Sequence, residues 1–192
     1  MSGKPYKLQS SEKLLEMHIL GGKAVIFDQD AVNELYSKHF FGKPFGVKKP
    51  RSGERFKGPL EISLLESLYI CEKGIAIPLL NLKKISCEDL RQYAASQDPR
   101  FRETYQVFRD LRDRGFIVRS GMKYGVDFTV YEKGPGMEHA PYLVQVMKYD
   151  EQINPIYIVR VGRLSHSVRK TLIIAVVYDS TIKYISFGWI KF

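Results

Sequence analysis

Apolar residues along this chain recur first at strand spacing, then at helical spacing, and the switch repeats in the second half. Residues 14–20 read as a strand that opens a hairpin, with Gly21-Gly22 as its turn and Val25-Ile26-Phe27 as a second strand fragment. Asp30 is placed to cap a helix running to about His39, with Val32, Leu35 and Tyr36 on its apolar face. Ser63 followed by Glu66 has capping-box spacing and opens a helix with Leu64, Leu65, Leu68 and Tyr69 as its stripe and Gly74 as its stop. Residues 75–86 carry Pro78 and read as a strand or extended linker, and 86–95 as a short helix.

Asp98-Pro99 starts a longer helix to Arg114, closed by Gly115. Phe101, Tyr105, Phe108 and Leu111 form its core stripe, and Arg112 points away from it. The period then becomes two. FIVRS, MKYG and VDFTVY read as successive strands broken by Gly121 and Gly125, and 142–147 as another. Asn154-Pro155 opens a helix with Tyr157, Val161, Leu164 and Val168 on an apolar face and Arg160, Arg163, His166 and Lys170 on a separate basic arc. Residues 171–178 and 182–190 read as the last two strands. The predicted fold class is α/β (α+β): a small N-terminal α/β domain, 1–87, and a C-terminal α/β domain, 88–192, with helices against a central mixed sheet.

A chain of 192 residues with 44% hydrophobic content is ample for packed cores. Its charge of +9 favours a phosphate-rich partner, although a thermophile's charged surface gives a similar balance. The cations concentrate in residues 42–58 (GKPFGVKKPRSGERFKG), which hold four Gly, two Pro and six Lys or Arg and suit no regular element. This segment reads either as a solvated loop or as a basic finger. In the second case Phe45 and Phe56 are available for base stacking and Lys48, Lys49 and Arg51 for phosphate. Cys71 and Cys87 lack the spacing of a zinc site, and their pairing is left open. The N-terminus lacks a signal peptide's apolar core, and no run approaches the roughly 20 apolar residues of a membrane span. The expectation is a soluble, cytoplasmic protein with no membrane partner.

A basic protein can cleave RNA without a metal, because the ribose 2′-hydroxyl is itself a nucleophile. Such an enzyme needs a group to take the 2′ proton, a group to protonate the departing 5′ oxygen, and a cation for the crowded phosphorane. Tyr131, His139 and Lys170 offer these groups, with Tyr131 needing nearby cations to act as a base. Singly, each has a structural explanation: a strand-end tyrosine, an exposed loop histidine, and a lysine at a helix C-terminus. A restriction-type metal nuclease would place Glu-x-Lys on the strand after Asp127. Gln145-Val146-Met147 stands there instead, and no Walker loop or Ser or Cys nucleophile motif is present.

Three segments in order, RDLRDRGFIVRSGMKYGVDFTVYEKG, EHAPYLVQV and RVGRLSHSVRKTLIIAVV, resemble the archaeal tRNA-splicing endonuclease family. The resemblance covers most of the chain and is strongest over 108–170. It implies a C-terminal domain of restriction-endonuclease-like fold and an enzyme that needs no cofactor. Such an enzyme cuts introns from precursor tRNA at bulge–helix–bulge structures and leaves 2′,3′-cyclic phosphate and 5′-hydroxyl ends. By the same resemblance Tyr131 is the general base, His139 the general acid and Lys170 the transition-state cation, while Arg163 stacks on a bulge base. Trp189 stands where a second clamping arginine is expected, and Ala140 where serine is common. The link 178–181 carries one carboxylate, short for the acidic loop with which family members self-assemble. Residues 42–58 resemble the extra basic loop of crenarchaeal catalytic subunits. The implied partner is a structural subunit, in a heterotetramer of two catalytic and two structural chains. A non-catalytic RNA-binding subunit of the same complex is the alternative, disfavoured by the intact Tyr131, His139 and Lys170.

Overall fold

The structure is a computed structural model that describes residues 15–47 and 54–188. The chain forms two compact units that divide between Phe101 and Arg102.

The first unit is built on a six-stranded sheet. Strands β1 (Leu15–Leu20) and β2 (Lys23–Ile26) form the expected hairpin, and β2 pairs on its other side with β4 (Leu60–Ser63) and then the two-residue β3 (Lys43–Pro44). β5 (Ala76–Leu80) lies parallel to β1, with Pro78 opposite Met17. The short β6 (Lys83–Lys84) pairs with Leu79 and Leu80, and Ile85 N bonds Pro78 O at 3.0 Å, so Pro78 sits where this short edge pairing ends and its missing N–H is tolerated. Helix α1 (Gln29–His39) is capped by Asp28, whose carboxylate accepts from Ala31 N at 2.9 Å; Asp30, expected as the cap, lies in the first turn two residues after it. Helix α2 (Leu64–Glu72) has the anticipated capping box. Helix α3 (Cys87–Gln97) has a second, Ser86 with Asp89, and packs on α2 and β5, tied there by a Cys71–Cys87 disulfide.

The flanks of the basic segment are fixed rather than loose. Glu66 closes the capping box with one oxygen and accepts Gly42 N at 2.9 Å with the other. Phe56 is buried (7% exposed), edge-on to Tyr36, and its N–H is held by Asn33 at 2.7 Å. Phe56 is therefore a core residue and not the stacking surface expected, whereas Phe45 is 68% exposed. Lys48, Lys49 and Arg51 lie outside the described residues.

The second unit is a five-stranded mixed sheet in the order β11-β10-β9-β8-β7. Its strands are β7 (Ile117–Ser120), β8 (Phe128–Tyr131), β9 (Tyr142–Lys148), β10 (Thr171–Val177) and β11 (Ile182–Phe187). Helix α4 (Phe101–Asp113) packs Phe108 on Phe128, while α5 (Pro155–Ser167) packs Val161 with Leu143, Leu172 and Ile174 on the opposite face. β9 and β10 are covered on both sides, which explains their nearly unbroken apolar runs. MKYG, expected as a strand, is a 3₁₀ turn (Met122–Tyr124), because Tyr124 N bonds back to Gly121 O at 2.8 Å. Two helix faces also differ from expectation. Arg112 is 1% exposed, since the buried sector of α4 widens to include Thr104 and Val107. On α5, Ser165 is buried where Leu164 is exposed.

Candidate active site

Strand register brings distant residues into one row. Val130 on β8 and Thr171 on β10 both stand beside Tyr142 on β9. One step further along, Tyr131, Pro141 and Lys170 occupy the same end of three adjacent strands. This is the C-terminal end of β8 and the N-terminal end of β9 and β10, because β8 runs antiparallel to the other two.

Lys170 reaches this row by leaving its helix. α5 ends at Ser167, and Arg169 takes the left-handed conformation (φ 55°), so that Arg169 N bonds His166 O and Lys170 N bonds Ser165 O. This double closure is the Schellman pattern, here with arginine where glycine is usual. Lys170 therefore does not share the basic arc of Arg160, Arg163 and His166. Its ammonium donates to the carbonyl of Ala140 and lies 5.6 Å from the centroid of the Tyr124 ring. Burial, and then the charge of Lys123, lower its pKa.

Tyr131 is half-buried, and burial raises its phenol above the ordinary tyrosine range; the Thr129 hydroxyl and Arg119 pull the other way without reversing the shift. Neighbouring cations would lower this group, but the burial of the strand end outweighs the charge of Arg119. The loop after Tyr131 is closed by Glu138, whose Oε1 accepts the N–H groups of Glu132 and Lys133, each at 2.6 Å. Those bonds, that from Lys133 first, hold the Glu138 carboxyl below its ordinary range. His139 is exposed on this loop between two tethers, Glu138 beside the end of β8 and Ala140 under the Lys170 ammonium. The structure thus gathers Tyr131, His139 and Lys170 at one sheet end.

Asp127 accepts from Gln145 Nε2 and Val146 N, both at 2.7 Å, and Gln145 Oε1 in turn accepts from the Tyr157 hydroxyl at 2.5 Å. The same hydroxyl contacts Gly125 O at 3.1 Å, so a polar relay pins the 3₁₀ turn to β9 and α5. No group of three or more His, Cys, Asp or Glu that could hold a metal gathers among the described residues. Arg163 is exposed on the outer face of α5, lining a pocket with Pro155, Ile156, Val159 and Arg160. Trp189, like Lys48 and Lys49, lies outside the described residues. Sequence reasoning overlooked Tyr124 and Glu138. Their only signals were an aromatic before a turn glycine and an acid before the histidine, and both patterns are common in purely structural settings.

A family model for the N-terminal domain of tRNA intron endonucleases matches residues 15–91, and one for the catalytic C-terminal domain matches residues 101–184. The chain belongs to the tRNA intron endonuclease family. The gathered residues lie in the unit that corresponds to the family's catalytic domain, that of an RNA-cleaving enzyme. A tRNA-splicing endonuclease from Hyperthermus butylicus is 51% identical over 90% of this chain and 97% of its own length. Proteins of the same description from Saccharolobus solfataricus and Sulfolobus acidocaldarius are 43% and 42% identical, covering 90% and 93% of this chain and 97% and 99% of their own. No helix among the described residues is long and apolar enough to cross a membrane.

Proposed function

We propose that this chain is the catalytic subunit of a cytoplasmic endonuclease that excises introns from precursor tRNA at bulge–helix–bulge structures. The observation that carries this reading is the meeting of Tyr131, the His139 loop and Lys170 at one end of the sheet. Tyr131 first gives up its own proton to water, and its phenolate oxygen then takes the 2′ proton as the 2′ oxygen forms its bond to phosphorus. The bond from phosphorus to the 5′ oxygen breaks, and His139 protonates that oxygen. The products are a 2′,3′-cyclic phosphate and a 5′-hydroxyl. Lys170 neutralises the charge that builds on the phosphorane, where a fixed cation does most in a site shielded from water. These groups supply the base, acid and cation of the reaction themselves, so no metal takes part. Arg163, flanked by exposed Ile156 and Val159, stacks on a bulged base, and Trp189 provides the second half of that clamp.

The short 178–181 link leaves assembly to a separate structural subunit, giving two copies of each chain. The basic segment, whose described flanks are anchored at Gly42 and Phe56, contacts RNA through Lys48 and Lys49. Cleavage of a bulge–helix–bulge RNA in EDTA tests the reading. This chain alone is expected to be silent and to become active when the structural subunit is added. His139→Ala in that complex is expected to lose about 10²–10⁴ in rate. A normal rate in His139→Ala would sink its role, and activity of the chain alone would remove the structural subunit from the scheme. Replacing Lys48 and Lys49 with alanine should weaken cleavage of non-standard bulges most, and equal cutting of all substrates would leave the segment a linker.

A further inference from the structure

Lys170 is not the only ammonium at the Tyr124 ring. Lys123, its sequence neighbour on the 3₁₀ turn, also lies 5.6 Å from the ring centroid. Both distances are near the outer limit of cation–π contact, about 6 Å, so neither ammonium is pressed onto the ring and both keep N–H groups for another acceptor. Lys170 spends one of its three donors on Ala140 O. Lys123 is exposed.

The turn that carries Lys123 and Tyr124 is held from several directions. Tyr124 N bonds Gly121 O, Gly125 N bonds Met122 O, and Gly121 N bonds Asp127 O at 2.9 Å. Tyr157 grips Gly125 O from α5, and Tyr124 itself packs against the core cluster of Val126, Leu143 and Leu172. Gly121 leaves no room for a side chain: a Cβ there would lie 2.6 Å from Val126 Cγ2 and 2.7 Å from Val126 O. These contacts fix the backbone from which Lys123 projects and the ring beside it.

We propose that Lys123 and Lys170, gathered on the Tyr124 ring, form a two-cation clamp for the scissile phosphate, with Lys123 a further phosphate-contacting residue and Tyr124 the residue that positions both. The inference rests on the cleavage reading given above and deepens it. Two like charges on one ring repel until an anion arrives, in keeping with the downward pull of Lys123 on the affinity of Lys170 for its proton. A phosphodiester carries one negative charge and the phosphorane formed from it carries two. The second cation therefore gains most at the transition state and acts on kcat more than on KM.

Two measurements test the clamp. In the active complex, Lys123→Gln is expected to lower kcat roughly ten- to a hundredfold with KM little changed. It should also move the alkaline limb of the pH–rate profile upward, because Lys170 loses the neighbour that lowers its pKa. Tyr124→Phe keeps the ring and should stay within about twofold of the parent, while Tyr124→Leu should not. In the full chain alone, isotope-labelled lysine signals are followed by NMR during titration with inorganic phosphate. The Lys123 and Lys170 signals should move together with one Kd, and in Lys123→Gln the phosphate affinity should fall. A Lys123 signal that phosphate leaves unmoved, or a Lys123→Gln enzyme with unchanged kcat and pH profile, overturns the clamp. If the parent complex cuts no RNA while the two signals still move together, the cleavage reading fails and the anion clamp stands.

Discussion

Glu138 accepts two backbone N–H bonds with one carboxylate oxygen, and the histidine beside it inherits its place from that closure. The carboxyl is held below its ordinary value by those bonds. The stabilisation of the loop is therefore complete above the ordinary carboxyl range and is lost as pH falls through the depressed folded value. Amide exchange at Glu132 and Lys133 should accordingly be slow at neutral pH and quicken in acid, relative to the intrinsic rate. Glu138→Ala should show the fast pattern at every pH, with cleavage several-fold slower because His139 loses its tether. Slow exchange in Glu138→Ala would mean that the turn residues close the loop unaided. Tyr131 illustrates the opposite case, a residue recognised from type and position whose environment sequence could not supply. Its burial comes from neighbours brought in by β7, β9 and the following loop, and it raises the phenol where nearby cations had been expected to lower it.

Among the elements, the end of α5 sets the direction of Lys170. Helical periodicity puts Lys170 on an arc with Arg163; the left-handed Arg169 breaks that periodicity and turns the lysine toward β8 and β9. A β-branched residue accepts φ 55° poorly, so Arg169→Val should cost roughly 1–2 kcal/mol of stability in thermal or denaturant unfolding. It should also lower kcat with Arg163 and the rest of α5 still in place. If both quantities stay at the parental level, the closure is incidental to the position of Lys170. The MKYG segment shows the same limit of local pattern. Four residues with two apolar positions fit a strand as well as a turn, and the tight contacts about Gly121 select the turn.

On the scale of the whole chain, Cys71 and Cys87 join the end of α2 to the start of α3 across a separation of 16 residues. Closing a loop of that length in the unfolded chain is worth about 3 kcal/mol by the chain-entropy estimate. Replacing both cysteines with serine, or adding reductant, should lower the unfolding temperature of the N-terminal unit by several degrees. An unchanged transition would show that the capping boxes and the packing of α3 suffice. The basic segment belongs to this scale too. Its anchors, Gln29, Asn33 and Ser37 on α1 and Glu66 on α2, are distant in sequence, so its flanks are ordered by surfaces its own composition does not reveal.

The sequence by itself determined the elements whose signals are local. The capping box at Ser63, Asn-Pro at the start of α5, apolar runs for β9 and β10 and the glycine stops all follow from bonds made within a few residues. It also supplied the three residue types at the sheet end and the family to which they belong. Tertiary structure alone decided which side chains meet. The antiparallel turn of β8 against the parallel β9 and β10 puts Tyr131 in the row of Lys170, and long-range packing buries Phe56 and Arg112 and half-buries Tyr131. Burial and contact depend on what arrives from elsewhere in the chain, and a local pattern carries no record of that.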